Sequence, residues 1–235
     1  MKIEIWSDVV CPFCYIGKRK LEKALAKFPN KDAIKIEWKS FQLNPDQKTD
    51  TSISTLDHLA SSKGWSLNQT REITSNVVEM AKEEGLNFDF EKTVLANTRN
   101  AHRLIHFAKE SGKGDAMKER LLFAYFSEGK NIDDFDTLVE LGEELGLQEK
   151  EIREVLESAR FDEAVDGDIY ESRQLGIKGV PFFVLDRKYG ISGAQADEVF
   201  TQNLEKAWDE YQKEKASVQI ESLNKGENCE IDGDC

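Results

Sequence analysis

The chain opens on an alternation of polar and apolar positions, "KIEIW" from Lys2, which sets Ile3 and Ile5 on one face and predicts a strand. The period then changes. In "CPFCYIGKRKLEKALAKF" the residues Cys14, Leu21, Leu25 and Phe28 fall near helical spacing, and Pro29 stops the run, so a helix is predicted behind Pro12. Alternation returns in "AIKIEWKSFQL", residues 33–43, and ends at Asn44 and Pro45. The chain has by then written strand, helix, strand.

From about Thr49 to Leu175 the spacing is helical only and no proline occurs; Leu138, Leu141, Leu145 and Leu147 recur between Gly142 and Gly146. "DIYESRQLGIKGV" reads as a helix ending near Gly176. Two short strands follow, "PFFVLD" and "YGISG", joined by a turn at Arg187 and Lys188, and a last helix runs from Asp197 to about Tyr211. This order is coherent when the two βα halves meet around one sheet and the helical block hangs from it as an inserted subdomain. The fold class expected is therefore α/β, with residues 1–48 and 162–211 forming one discontinuous domain, 49–161 an inserted helical domain, and 212–235 a polar tail.

Composition narrows the setting. A formal net charge of −13 and a pI near 4.8 argue against binding to nucleic acid or to acidic lipid surfaces, both of which attract clustered Lys and Arg. No apolar run approaches the roughly 18 to 20 residues of a membrane span, and Met1 leads straight into a polar alternation, so the expectation is a cytoplasmic protein. The runs "KEEG", "GEELG" and "QEKEIREVLE" read as solvated helix faces. Four cysteines in 235 residues are too sparse for a secreted disulfide framework. They form two close pairs at opposite ends, Cys11 with Cys14 and Cys229 with Cys235.

The first pair stands where a strand becomes a helix. Pro12 suits the first helical position, where its missing N–H costs nothing, and Cys11 then faces the orphan amides and the positive end of the helix dipole. That field predicts an exposed Cys11 nucleophile with a lowered pKa, and a shielded Cys14, one turn inside, as the resolving thiol. Zinc is the competing reading, with Cys229 and Cys235 as the second ligand pair. A pair of inert core cysteines is opposed by Pro12 and "SDVV", which mark a turn. In "NTRNAHRLIHFA", Asn97 can cap a helix whose apolar face is Ala101, Leu104, Ile105 and Ala108. His102 and His106 then lie four apart, but no acidic ligand stands between them, so structural or cleft-lining roles are expected for Asn97, His102 and Arg103, and no metal site. His58 reads as a surface residue. In the tail "ENCEIDGDC", Gly233 and its polar neighbours permit a tight loop, so a Cys229–Cys235 disulfide is feasible; the pair is either a second redox centre or incidental to a flexible tail.

Together "SDVVCPFCYIG", "NTRNAHRLIHFA", "GVPFFV" and "SGAQ" resemble the DsbA family, in particular its FrnE-type cytosolic branch, which is related to the 2-hydroxychromene-2-carboxylate isomerases and kappa-class glutathione transferases. The resemblance spans Lys2 to about Tyr211. It implies a thioredoxin-like fold with an inserted all-helical subdomain, a cis Pro181 beside the dithiol, and a Val180 backbone that holds an extended thiol substrate. It also implies a cleft lined by Pro12, Phe13, Asn97, His102, Ala194 and Gln195, and some relatives carry a further cysteine pair near the C-terminus. Two departures matter. The isomerases and kappa-class transferases have serine where this chain has Cys11, and the kappa-class Ser-Asp grip on glutathione is replaced by Ala194 and Gln195. The expectation is thus a cytosolic thiol–disulfide oxidoreductase, monomer or homodimer, acting on protein or small-molecule thiols and disulfides, without a cofactor and with glutathione open as a co-substrate. A glutathione-dependent isomerase or transferase and a redox-regulated chaperone are the alternatives.

Overall fold

β1 (Lys2–Ser7) runs through the interior of a four-stranded sheet in the computed structural model, which describes residues 1–217. It pairs in parallel with β2 (Lys35–Ser40), Ile5 opposite Trp38 and Ser7 opposite Ser40. On its other side lies the hairpin of β5 (Phe182–Leu185) and β6 (Tyr189–Ser192), antiparallel, with Ile5 opposite Phe183. An interior strand is covered on both faces. Ile3 and Ile5 enter the main core, while Trp6 packs with Ile177 and Val184 on the opposite face. Even the polar half of the alternation is buried: Glu4 accepts from Lys2 at 3.0 Å and from Arg187. Asp186 and Arg187, with φ of 49° and 57°, make the hairpin turn that aims Arg187 at that carboxylate.

α1 (Pro12–Lys27) follows β1, and its C-cap, Phe28, is extended, as a residue before proline must be. It packs against α9 (Asp197–Ser217), which continues past Tyr211, where the apolar spacing stops. Gln212, Lys213, Glu214 and Lys215 are good helix formers and carry exposed turns past Tyr211 without a buried face.

The middle of the chain is not helical throughout. β3 (Asp50–Ser54) and β4 (Val94–Leu95) form a small antiparallel sheet with a shifted register, a correction to the helices-only reading. Strands so short leave no period in the sequence. Around them lie α2 (Thr55–Lys63), α3 (Leu67–Glu83), α4 (Arg99–Glu110), α5 (Gly114–Phe123), α6 (Phe135–Glu144), α7 (Glu149–Glu157) and α8 (Asp162–Gln174). α4 buries Ala101, Leu104, Ile105 and Ala108, the face its spacing predicts. Arg103 is buried too, because its guanidinium caps the C-terminal end of α7, donating to the carbonyls of Leu156 at 3.3 Å, Val155, Ser158 and Arg160. One hydrophobic cluster runs from Ile3 and Ile5 through Leu104 to Leu141 and Ile152, so sheet and helices share a core. No helix among the described residues is long and apolar enough to cross a membrane. Cys229 and Cys235 lie outside the described residues.

Candidate active site

The turn after β1 places the two cysteines. Cys11 N–H donates to the Asp8 carbonyl at 3.4 Å, Cys11 takes the N-cap position with φ −92° and ψ 113°, and Cys14 N–H closes the first turn on the Cys11 carbonyl at 3.0 Å. The Cys11 side chain makes no bond to the helix it caps. Its sulfur instead meets the Val180 carbonyl at 3.5 Å, and the Val180–Pro181 peptide is cis. That loop is anchored from behind by Gly193 N–H on the Pro181 carbonyl at 2.8 Å. Gly17 of α1 lets the helix close against it: a Cβ there would stand 3.0 Å from Pro181 Cγ, 3.1 Å from Phe183 Cζ and 3.6 Å from Ala194 Cβ.

Two expectations for the dithiol are corrected. Cys11 is not exposed but 4% accessible, against 1% for Cys14, because the Val180–Pro181 loop, distant in sequence, lies over its sulfur. The exposed member of the motif is Phe13, 39% accessible, beside a half-buried Pro12. Nor is the Cys11 thiol lowered by the helix terminus. The two reduced sulfurs form one hydrogen-bonded pair that titrates as a unit. Donation to Cys14, then burial, then the Cys14 charge push Cys11 well up. Burial opposes ionisation of Cys14 as well, but the Cys11 thiol, the Lys118 ammonium and the Ser7 hydroxyl together bring it below the ordinary thiol range.

A buried carboxylate that the sequence did not single out organises the surroundings. Asp8 Oδ1 accepts from Val9 N–H at 2.8 Å and from His102 Nε2 at 3.2 Å, while Oδ2 accepts from Leu43 N–H at 2.8 Å. Burial works against its charge, but His102, the Leu43 amide and Lys118 hold it below the usual carboxylate range. Burial keeps His102 neutral, so its Nε2 carries the proton that a carboxylate can only accept. His106 serves a different carboxylate, Asp168 of α8, at 3.1 Å, and also meets Ser40 Oγ at 3.1 Å. The two histidines of α4 thus hold two separate acidic anchors.

The other expected residues fall in various places. Thr98, not Asn97, is the N-cap of α4, although Asn97 Oδ1 still accepts from Arg99 N–H at 2.8 Å. The Asn97 side-chain amide also donates to the carbonyls of Pro45 at 3.2 Å and Gln47 at 2.7 Å, tethering the loop after β2. Ala194 is half-buried against the core, its Cβ turned toward Gly17 of α1. Gln195 is exposed and folds back on the Ser192 carbonyl at 2.7 Å. His58 is half-buried rather than a surface residue, and lines a cleft of about 400 Å³ with Asp8, Val10, Leu43, Thr98 and Tyr125. Sequence reading also missed Ser7, Gly17, Lys118 and Tyr125. "SDVV" adjoining the cysteines marked the neighbourhood of Ser7 and Asp8; nothing local marks Lys118.

Comparison with known proteins shows the family. The DSBA-like thioredoxin domain is matched over residues 2–205. The chain is 31% identical over 215 residues to the uncharacterized protein YwbO of Bacillus subtilis (strain 168), covering 91% of this chain and 98% of that protein. It is similar, at 39% identity and a TM-score of 0.85, to the crystal structure of a probable DsbA oxidoreductase from Streptomyces coelicolor, over 99% of this chain and 97% of the other. The cytosolic disulfide reductase DsbM from Pseudomonas aeruginosa shares the fold at 17% identity, with a TM-score of 0.61 over 93% of this chain and all of that one, 100%. The family match over residues 2–205, nearly all of the described chain, places this protein in the DSBA-like thioredoxin domain family.

Proposed function

We propose that the chain is a thiol–disulfide oxidoreductase in which Cys11 attacks and Cys14 resolves. The observation that carries this reading is the sulfur of Cys11 set against the Val180 carbonyl, with Cys14 beneath it in the first turn of α1. Cys11 gives its proton along the hydrogen bond to Cys14 or to solvent, and its sulfur attacks a substrate disulfide. One S–S bond forms to Cys11, one breaks, and the displaced sulfur leaves as a thiolate with the bonding pair. Cys14, its proton passed to the first displaced thiolate or to solvent, then attacks Cys11, forming the intramolecular disulfide and releasing the second substrate thiolate. The substrate has gained two electrons and the dithiol has lost them.

Run backwards, the same steps oxidise a dithiol. The substrates on this reading are protein or low-molecular-weight thiols and disulfides, glutathione among them, in the cytoplasm. Similarity to a probable DsbA oxidoreductase supports the reaction class. Cys229 and Cys235 enter as a second pair that would exchange with Cys11.

The test uses oxidised glutathione and mass spectrometry on the full chain. Cys14→Ser is expected to accumulate a glutathione adduct on Cys11, and Cys11→Ser to exchange at the background rate of the buffer. Undiminished exchange by Cys11→Ser would overturn the proposal.

A further inference from the structure

The cleft that His58 and Tyr125 line is built unlike the rest of the surface. One stripe of α2 faces it, Thr55, His58, Leu59, Ser62 and Lys63, the i, i+3, i+4, i+7 and i+8 positions of a single helix face. From Thr55 to Lys63 that stripe runs about 12 Å, at roughly 1.5 Å per residue. The turn before the dithiol adds Val10, next in sequence to Cys11, and the loop after β2 adds Leu43. Leu43, Leu59 and Leu95 all line the cleft, yet none belongs to a hydrophobic cluster of the interior. Their apolar surface is left to a concavity of about 400 Å³, which lies within the usual size range of small-molecule sites.

The polar groups of the cleft have one bias. The π-helical turn Ala124–Glu128 carries Tyr125 into it, and turns of that kind are rare and frequent at functional sites. Burial pushes the Tyr125 hydroxyl up to about 12, so it stays a neutral donor at physiological pH. Among the described residues the His58 ring has no hydrogen-bond partner and the Lys63 ammonium no ion pair. Asp8 is the only carboxylate of the lining, and both its oxygens are taken by Val9, Leu43 and His102. In a chain with 45 acidic residues and a net charge of −13, this cleft thus offers an unpaired cation and no free carboxylate. Such a lining selects an anion with an apolar body.

We infer that the cleft holds one arm of a low-molecular-weight disulfide, an arm with an apolar or aromatic body and a terminal carboxylate. The inference rests on the oxidoreductase reading and narrows its substrates. The body of the arm lies on Leu59 and Leu95, the carboxylate meets Lys63, and Tyr125 donates to an acceptor on the arm. Cys11, its proton passed to solvent, attacks the sulfur that carries the arm; the Cys11–S bond forms, the substrate S–S bond breaks, and the other half leaves as a thiolate with the bonding pair. A space of about 400 Å³ suits such an arm and is too small for a folded protein surface.

Two probes test this on the full chain: the disulfide of para-mercaptobenzoate and the disulfide of its uncharged amide, each followed as released thiol. Corrected for their rates with free glutathione, the carboxylate is expected to react about fivefold faster, the size of a solvent-accessible ion pair. Lys63→Gln should abolish that preference, and Leu59→Glu should reverse it. Equal rates in the parent, or a preference kept by Lys63→Gln, would overturn the assignment. Binding is read without any exchange on the variant carrying both Cys11→Ser and Cys14→Ser, with para-(methylthio)benzoate as probe and ligand-observed NMR as readout. Saturable binding is expected, weakened about fivefold by Tyr125→Phe at the loss of one hydrogen bond. Lys63→Gln, at an exposed position, repeats the measurement should Tyr125→Phe melt early. No binding by the double variant beside a normally exchanging parent would overturn the cleft alone. A parent that exchanges with neither probe while the double variant still binds would overturn the oxidoreductase reading and leave the anion cleft standing.

Discussion

Asp8 shows how much one residue can carry. Its carboxylate ties the dithiol turn to the loop after β2 through Leu43 and to α4 through His102, across 35 and 94 residues of sequence. Asp8→Ala would leave two amides and an imidazole unsatisfied in a dry site, a loss on the order of 3 kcal/mol. Asp8→Asn keeps the shape and is expected to lose about 1 kcal/mol. Urea unfolding reads both as lower midpoints at unchanged slope. An aspartate in "SDVV" reads locally as turn chemistry, and only partners brought in by the fold reveal it as an anchor. Cys11 shows the same limit from the other side. Its place at a helix N-terminus and the Cys14 sulfur one turn inside are legible, but the loop at Val180 that covers it is not.

At the scale of elements, the decisive contact is α1 against the loop at Pro181. Gly17 leaves no room there: the hypothetical Cβ stands 3.0 Å from a proline ring and 3.1 Å from Phe183, both held by the sheet. Gly17→Val is expected to cost roughly 1–3 kcal/mol by overpacking and to slow thiol exchange, because α1 carries both sulfurs. A melting curve together with an exchange assay would check this, and a variant equal to the parent in both would show that the loop yields. Helix periods and strand alternations were readable along the chain because each is a repeat of local contacts. The π-helical turn at Ala124–Glu128, which extends α5, was not. It sets Phe126 against Phe88, with ring centroids 4.5 Å apart, and brings Tyr125 to the cleft. One extra residue in a turn leaves no trace in an amphipathic pattern.

Across the whole molecule, buried carboxylates join the helical block to the sheet. Asp168 accepts from Ser40 N–H at 2.8 Å, Lys39 at 3.0 Å and His106 at 3.1 Å, and its carbonyl takes Trp6 Nε1–H at 2.9 Å. Burial resists its charge, but His106, the Ser40 amide and Lys39 bring its pKa down to about 2. A lowered acid stabilises the fold fully above its unfolded value, near 3.9, and loses that contribution as pH falls toward 2. Asp8 acts in the same sense. His102, lowered and neutral when folded, adds a loss below its unfolded value near 6.5, because the unfolded chain then binds the extra proton. Stability is therefore expected to fall from about pH 6.5 downward and more steeply below 4. Asp168→Asn should flatten the lower part by on the order of 2 kcal/mol, measured as urea midpoints against pH. An unchanged profile would show that Asp168 titrates normally.

The sequence by itself determined the strand–helix–strand opening, the helical face of α4, the closing hairpin and helix, and a dithiol at a strand-to-helix junction, since all of these are written in local periods, prolines and spacings. Tertiary structure alone decided that Cys11 is covered by Val180. It also decided that Asp8 and Asp168 each take a histidine of α4, and that Lys118 reaches the end of β1. Each of these depends on which distant side chain shares a site from which water is excluded. In such a site an unpaired charge or hydroxyl costs more than any local propensity returns, so the long-range partner, which no local pattern records, settles what the residue does.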